Sequence, residues 1–154
     1  MKQKYYIDTS VFGGYFDIEF ADFTIPLFDK LQKGSFILLF STVTQEELAN
    51  APKKVRDLVL NIKVDNTVFL EISDEAIELA ENYISEKVVG ETSFADCLHI
   101  ALATINNADY LISWNFKHIV NVERIRGYNS INIRKGYKLL EIRSPRDFIN
   151  YEDN

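Results

Sequence analysis

A chain of 154 residues, 47% hydrophobic and 13% aromatic, is long enough for one domain with its own core and too apolar for a disordered polymer. Its formal net charge of −6 counts against a duplex DNA binder that works by phosphate neutralisation, but not against a site where divalent ions invert the local potential. The single cysteine, Cys97, excludes an internal disulfide and a cysteine-based zinc site.

The first predicted element is a buried strand over residues 4–8, ending at the polar pair Thr9-Ser10. Gly13-Gly14 is expected to interrupt any early helix. Apolar residues at Phe20, Phe23, Leu27, Phe28 and Leu31 give helical spacing over 18–33, with Pro26 as an awkward interior residue and Gly34 as a C-terminal cap. A second strand is predicted at 36–40, and Ser41 or Thr42 can cap the helix that carries Glu47. Pro52 suits the start of the next helix, whose Val55, Leu58, Val59 and Ile62 face inward. A third strand is predicted at 68–72. Ser73 then caps a helix with a buried stripe of Ala76, Ile77, Leu79, Ala80 and Ile84.

A loop at 90–93 precedes an apolar helix over 94–107. A fourth strand is predicted at 110–113, a short helix at 120–128, a final strand at 137–142, and a last helical turn from Ser144-Pro145. No linker or repeat divides the chain, so residues 1–154 read as a single domain. Alternating strands and helices predict an α/β fold, a three-layer sandwich with a mostly parallel central sheet. No apolar run approaches the length of a membrane span, and the N-terminus lacks the apolar segment of a secretion signal. The expected location is the cytoplasm, with no membrane contact.

The alternation also places three acids. Asp8 ends the first strand, Glu47 lies early in the helix after the second, and Asp96 opens the apolar helix. In open parallel sheets ligands gather outside the carboxyl ends of the strands. Carboxylates brought together repel one another unless a cation or a proton stabilises them. Mg²⁺ or Mn²⁺ is the simplest occupant, and phosphodiester cleavage the simplest chemistry. Ser113-Trp114-Asn115 adds a polar cluster after the fourth strand.

The ordered set Ile7-Asp8-Thr9-Ser10-Val11, Val43-Thr44-Gln45-Glu46-Glu47-Leu48, Asp96-Cys97-Leu98-His99-Ile100-Ala101 and Leu111-Ile112-Ser113-Trp114-Asn115 resembles PIN-domain ribonucleases, and among them the VapC toxins of toxin–antitoxin pairs. The resemblance implies metal ligation by Asp8, Glu47 and Asp96, a supporting role for Asn115 and an RNA substrate. It also implies a homodimer held by a small antitoxin protein. Many members of that family have Asp where this chain has Asn115, whose neutral carbonyl oxygen is a weaker ligand.

Each residue has a plainer reading. Asp8 and Asp96 could cap helices, and Glu47 could be an exposed acid favoured by a helix dipole. Asn115 and Ser113 could be turn residues. Thr9 or Ser10 would orient Asp8. His99 reads as a partly buried helix residue, because oxygen-rich Mg²⁺ or Mn²⁺ sites seldom recruit His. Cys97 reads as core filling, and Trp114 and Phe116 as residues buried against the sheet rather than base-stacking platforms. His118 is a weaker candidate for RNA contact, and Glu46 and Glu91 are candidate outer contributors. Two competing functions remain. One is a non-catalytic PIN-like module that binds RNA or protein. The other is a small-molecule phosphohydrolase, against which Ser10 stands where a phospho-aspartate enzyme has a second Asp.

Overall fold

The computed structural model describes residues 1–87 and 92–149. β1 (Lys4–Ile7) leads into the short α1 (Thr9–Gly14) and then α2 (Ala21–Gln32). β2 (Ile37–Ser41) leads into α3 (Thr42–Leu48) and α4 (Lys53–Leu60), and β3 (Thr67–Leu70) follows a 3-10 turn at Val64–Asn66. Then come α5 (Asp74–Ser85), α6 (Phe94–Ile105), β4 (Tyr110–Ile112), α7 (Val122–Arg134), β5 (Ile142–Arg143) and a closing 3-10 turn at Pro145–Phe148.

The strands form one parallel sheet in the order β3-β2-β1-β4-β5, with Tyr6 opposite Leu39 on one side and Leu111 on the other. Parallel neighbours require crossover connections, which the helices supply. The chain begins in the middle of the sheet, builds outward through β2 to β3, then returns to lay β4 against the free side of β1. Loops leaving β1 and β4 therefore diverge, and a crevice opens at their carboxyl ends.

Alternate residues of a strand serve opposite faces of the sheet. Tyr6, Leu39, Leu111 and Ile142 share a core with Leu79 of α5, Ile100 of α6 and Ile131 of α7. Ile7, Leu38, Phe40 and Ile112 share another with Phe12 of α1, Phe28 of α2 and Val55 of α4. This is the expected three-layer α/β sandwich, with every strand pair parallel. Covering both faces explains why β2 is a continuous apolar run rather than an alternating one.

Ser41 and Ser73 cap α3 and α5 as expected, Ser93 caps α6 and Asn121 caps α7. Gly34 ends α2 with φ +73°, a conformation that favours glycine. Pro26 lies inside α2. Burial of Leu27, Phe28 and Leu31, at about 1.5–3 kcal/mol each, outweighs an interior proline's cost of about 3 kcal/mol.

Several boundaries differ from the sequence reading. Gly13 and Gly14 close α1 instead of interrupting it, and Gly14 is needed because Trp114 lies against it. The third strand is Thr67–Leu70 rather than 68–72. The stripe of α5 passes through Tyr83, which is fully buried, while Ile84 is half-exposed. The helix expected at 120–128 runs through Val122–Arg134, because Ile131 and Asn132 continue its buried face. The final strand shrinks from 137–142 to Ile142–Arg143. Its neighbour β4 is only three residues long, and the Asn129 amide takes both backbone groups of Leu140, at 2.8 and 3.0 Å, in place of a strand partner. Among the described residues no helix is long and apolar enough to cross a membrane.

Candidate functional site

Asp8 occupies the N-cap position of α1, yet its side chain makes no capping bond. Backbone pairing across the switch crevice holds it, its N–H donating to the Ile112 carbonyl at 3.1 Å. The carboxylate is only 3% exposed and accepts a hydrogen bond from Ser10 Oγ at 2.6 Å. Ser10 also accepts from the Trp114 N–H at 2.9 Å and lies 3.4 Å from Ser113 Oγ. One small hydroxyl thus ties the first turn of α1 to the loop after β4. Burial pushes the Asp8 carboxyl above its ordinary range and the charge of Asp96 adds to this; His99, Ser10 and Ser113 act the other way.

Asp96 sits in the first turn of α6, but the cap is Ser93, whose Oγ accepts the Asp96 N–H at 3.1 Å. The Asp96 carboxylate is partly exposed, and it bears electrostatically on Asp8, Cys97 and Tyr128. Fold topology alone makes neighbours of two acids 88 positions apart.

Glu47 is gripped rather than free. Thr9 Oγ1 donates to Glu47 Oε1 at 2.8 Å, and His99 Nε2 lies 2.6 Å from the same oxygen. The bond from His99 holds Glu47 below the ordinary carboxylate range, partial burial opposes it and Thr9 adds to the lowering. Behind His99 a buried polar chain continues. His99 Nδ1 lies 2.6 Å from Tyr6 Oη, which lies 2.7 Å from Ser41 Oγ, the cap of α3. Burial pushes the Tyr6 phenol well above its ordinary range, so it keeps its proton.

Asn115 serves the turn after β4. Its N–H donates to Ser113 Oγ and its Oδ1 accepts the His118 N–H, both at 2.9 Å. Ser113 is fully buried and bridges this turn to Ser10. Trp114 is core, as expected, stacked on Phe20 with its indole N–H donating to Thr24 Oγ1 at 2.9 Å. Phe116, expected to be buried, is instead 45% exposed, because Trp114 already fills the space beneath it. The Tyr128 hydroxyl donates to the His118 carbonyl, and the buried His118 Nδ1 has no hydrogen-bond partner among the described residues. Cys97 is fully buried and its thiol is pushed up to about 12, chiefly by burial and then by Asp96. Glu46 is exposed, and Glu91 lies outside the described residues.

From the sequence, His99 reads only as a partly buried helix residue and Ser41 only as a helix cap, and Tyr6 carries no sign of a site role. A histidine one turn after Asp96, alone among Ala, Leu and Ile, was the available signal. What it missed is that the residue is buried at 2% exposure and points at Glu47.

The donors of this region are hard oxygens: the mutually repelling carboxylates of Asp8 and Asp96, the Glu47 carboxylate bonded to Thr9 and His99, and flanking hydroxyls. That chemistry fits Mg²⁺ or Mn²⁺ rather than a soft metal. Among the described residues no three His, Cys, Asp or Glu side chains converge as a ready-made cage. Mg²⁺ does not need one, since it commonly takes one or two carboxylates with water or substrate phosphate completing its shell. An apolar hollow lined by Leu38, Phe40, Val59, Ile62 and Phe69 shares no residue with these groups.

The family model for the PIN domain matches residues 5–122, the stretch that holds all of these residues. Among solved structures, the chain is similar to VapBC2 from Rickettsia felis bound to a DNA fragment from its promoter, with TM-score 0.58, 17% identity, and 92% of this chain and 98% of that one covered. It is similar to Mycobacterium tuberculosis VapC20, a sarcin-ricin loop cleaving toxin, with TM-score 0.57, 14% identity, and coverage of 74% and 92%. FitAcB from Neisseria gonorrhoeae gives TM-score 0.58 at 14% identity, with coverage of 92% and 98%. At such identities the likeness concerns the fold. No curated protein sequence matches the chain.

Proposed function

This chain belongs to the PIN domain family, and from that premise we propose that it is a Mg²⁺- or Mn²⁺-dependent endoribonuclease, a VapC-like toxin hydrolysing phosphodiester bonds in RNA. One observation carries the reading: Asp8 is a carboxylate kept at 3% exposure against the charge of Asp96, at the carboxyl-end crevice of a parallel sheet. An arrangement so unfavourable for the empty fold is what a dication site requires.

Asp8 and Asp96 would hold the ion, with Glu47 as the third carboxylate. A bound dication supplies charge neutralisation at the phosphate and a water of lowered pKa. The remaining work belongs to the chain. Ser10 and Ser113 orient Asp8, and Thr9 and His99 orient Glu47. Asn115 fixes the turn at the mouth and offers its carboxamide to a water of the outer shell. The sandwich keeps bulk water away from Asp8. RNA cleavage by a neighbour of the same fold supports the substrate class. Neighbours solved as VapBC2 and FitAcB support a small antitoxin as partner, and the toxin reading brings with it a homodimer and a cytoplasmic location.

Asp96→Asn tests the reading. The variant is expected to fold and to lose RNA cleavage by about 100-fold or more, the equivalent of several kcal/mol of Lewis-acid stabilisation. Cleavage at the wild-type rate by the purified, folded variant would remove Asp96 from the site. A second reading, a non-catalytic PIN-like module, draws on Asn115, a neutral group whose Oδ1 is engaged by the His118 N–H. Calorimetric titration with Mn²⁺ separates the two, because only the nuclease needs binding at millimolar metal or below.

A further inference from the structure

We infer that His99 is a positioning residue for Glu47, the end of a buried hydrogen-bonded chain that fixes this carboxylate for a divalent ion; the inference rests on the metal-dependent reading above. The chain runs Ser41–Tyr6–His99–Glu47 with heavy-atom distances of 2.7, 2.6 and 2.6 Å. Tyr6 and Ser41 are fully buried and His99 is 2% exposed, so none of these bonds competes with bulk water. Glu47 itself is on the surface of α3, its side chain 39% exposed. A carboxylate on a two-carbon tether of that exposure would sample several rotamers without its partners.

Each link has a structural origin. Tyr6 is in β1, Ser41 ends β2 and His99 faces inward from α6, so three elements meet in one relay. Ser41 is anchored in turn by the Thr44 N–H, which it accepts at 3.2 Å. Tyr6 places its ring edge-on to the imidazole, with centroids 5.6 Å apart, and restricts its rotation. Thr9, the residue after Asp8, reaches the same Glu47 oxygen. Both bonds land on Oε1, and among the described residues none lands on Oε2. Histidine here is not a ligand. Its Nε2 is spent on Glu47 and its Nδ1 on Tyr6, which is how a side chain behind a metal ligand is used.

The test uses the full chain and Mn²⁺ alone, read by calorimetry, with thermal unfolding in chelator as the check on folding. His99→Leu keeps most of the volume and removes the bond. It is expected to weaken Mn²⁺ binding by about tenfold, the lower end for losing such a partner. His99→Gln can return an N–H close to the position of Nε2 and is expected to recover most of the loss. A purely packing role would give the reverse order, with Leu the better substitute. Equal Mn²⁺ affinity of His99→Leu and wild type overturns the inference. Should His99→Leu fail to fold, Tyr6→Phe decides: weaker Mn²⁺ binding supports the relay, and unchanged affinity overturns it. Wild-type protein that binds no Mn²⁺ at millimolar concentration sinks the metal-dependent reading as well, and is told apart because the failure lies in the wild type and not in the variant.

Discussion

Asp8→Asn should make the metal-free protein more stable while destroying its use for a dication. The carboxylate is 3% exposed, and removing an ion from water costs several kcal/mol even after relaxation. Two hydroxyls, Ser10 and Ser113, and the imidazole of His99 offset part of that cost. A hydrogen bond to a charged group is worth about 1 kcal/mol more than one to a neutral group, so the amide gives some of this back. Because the carboxyl is pushed up despite these partners, burial and Asp96 prevail, and the net gain of the amide is about 1 kcal/mol, or roughly 3 °C in Tm for a chain of this size. A raised native pKa means the folded state holds its proton to higher pH than the unfolded chain does. Stability therefore falls as pH rises from the ordinary aspartate pKa, about 4, through the native value, and the gain from Asn is full only above both. Urea unfolding in chelator, repeated from acid to neutral pH, measures it. With saturating Mg²⁺ the wild type should recover and the variant should not. If Asp8→Asn is less stable than wild type in chelator at neutral pH, the carboxylate is stabilising the empty fold and the reasoning fails.

Two further outcomes follow from packing. In Gly14→Ala the new Cβ would sit 2.7 Å from the Trp114 indole and 3.1 Å from Thr24 Oγ1, so the bond between those residues must yield. Urea unfolding should show a loss of about 2 kcal/mol, and an unchanged midpoint would mean that the contact relaxes freely. Cys97, with no exposure and a thiol pushed up to about 12, should resist a disulfide reagent in the native protein and react at once in denaturant. Rapid labelling of the native chain would contradict its placement in the core.

Local signals were enough for the elements. Ser41 and Ser73 announce their helices because a hydroxyl just before an apolar stripe satisfies an orphan N–H. The run Ile37-Leu38-Leu39-Phe40 announces a strand covered on both faces. Lengths were less legible wherever a distant residue intervened. Asn129 consumes the backbone of Leu140 and shortens the last strand, and no local pattern encodes that. Ile84 and Tyr83 exchanged places because Tyr83 has a buried partner in Asn132, 49 positions away.

Sequence by itself determined that Asp8 would end one strand of a parallel sheet and that Glu47 would follow another, since strand and helix alternate there; Asp96 opens a helix that follows a helix, and the alternation does not place it. Only the tertiary structure decided how they stand. Side-chain direction depends on neighbours brought in by other elements: Ser10 turns Asp8 inward instead of letting it cap α1, and His99, held by Tyr6 from the adjoining strand, takes hold of Glu47. A linear pattern records periodicity and residue type. It does not record which two groups, far apart along the chain, will be within reach of one proton.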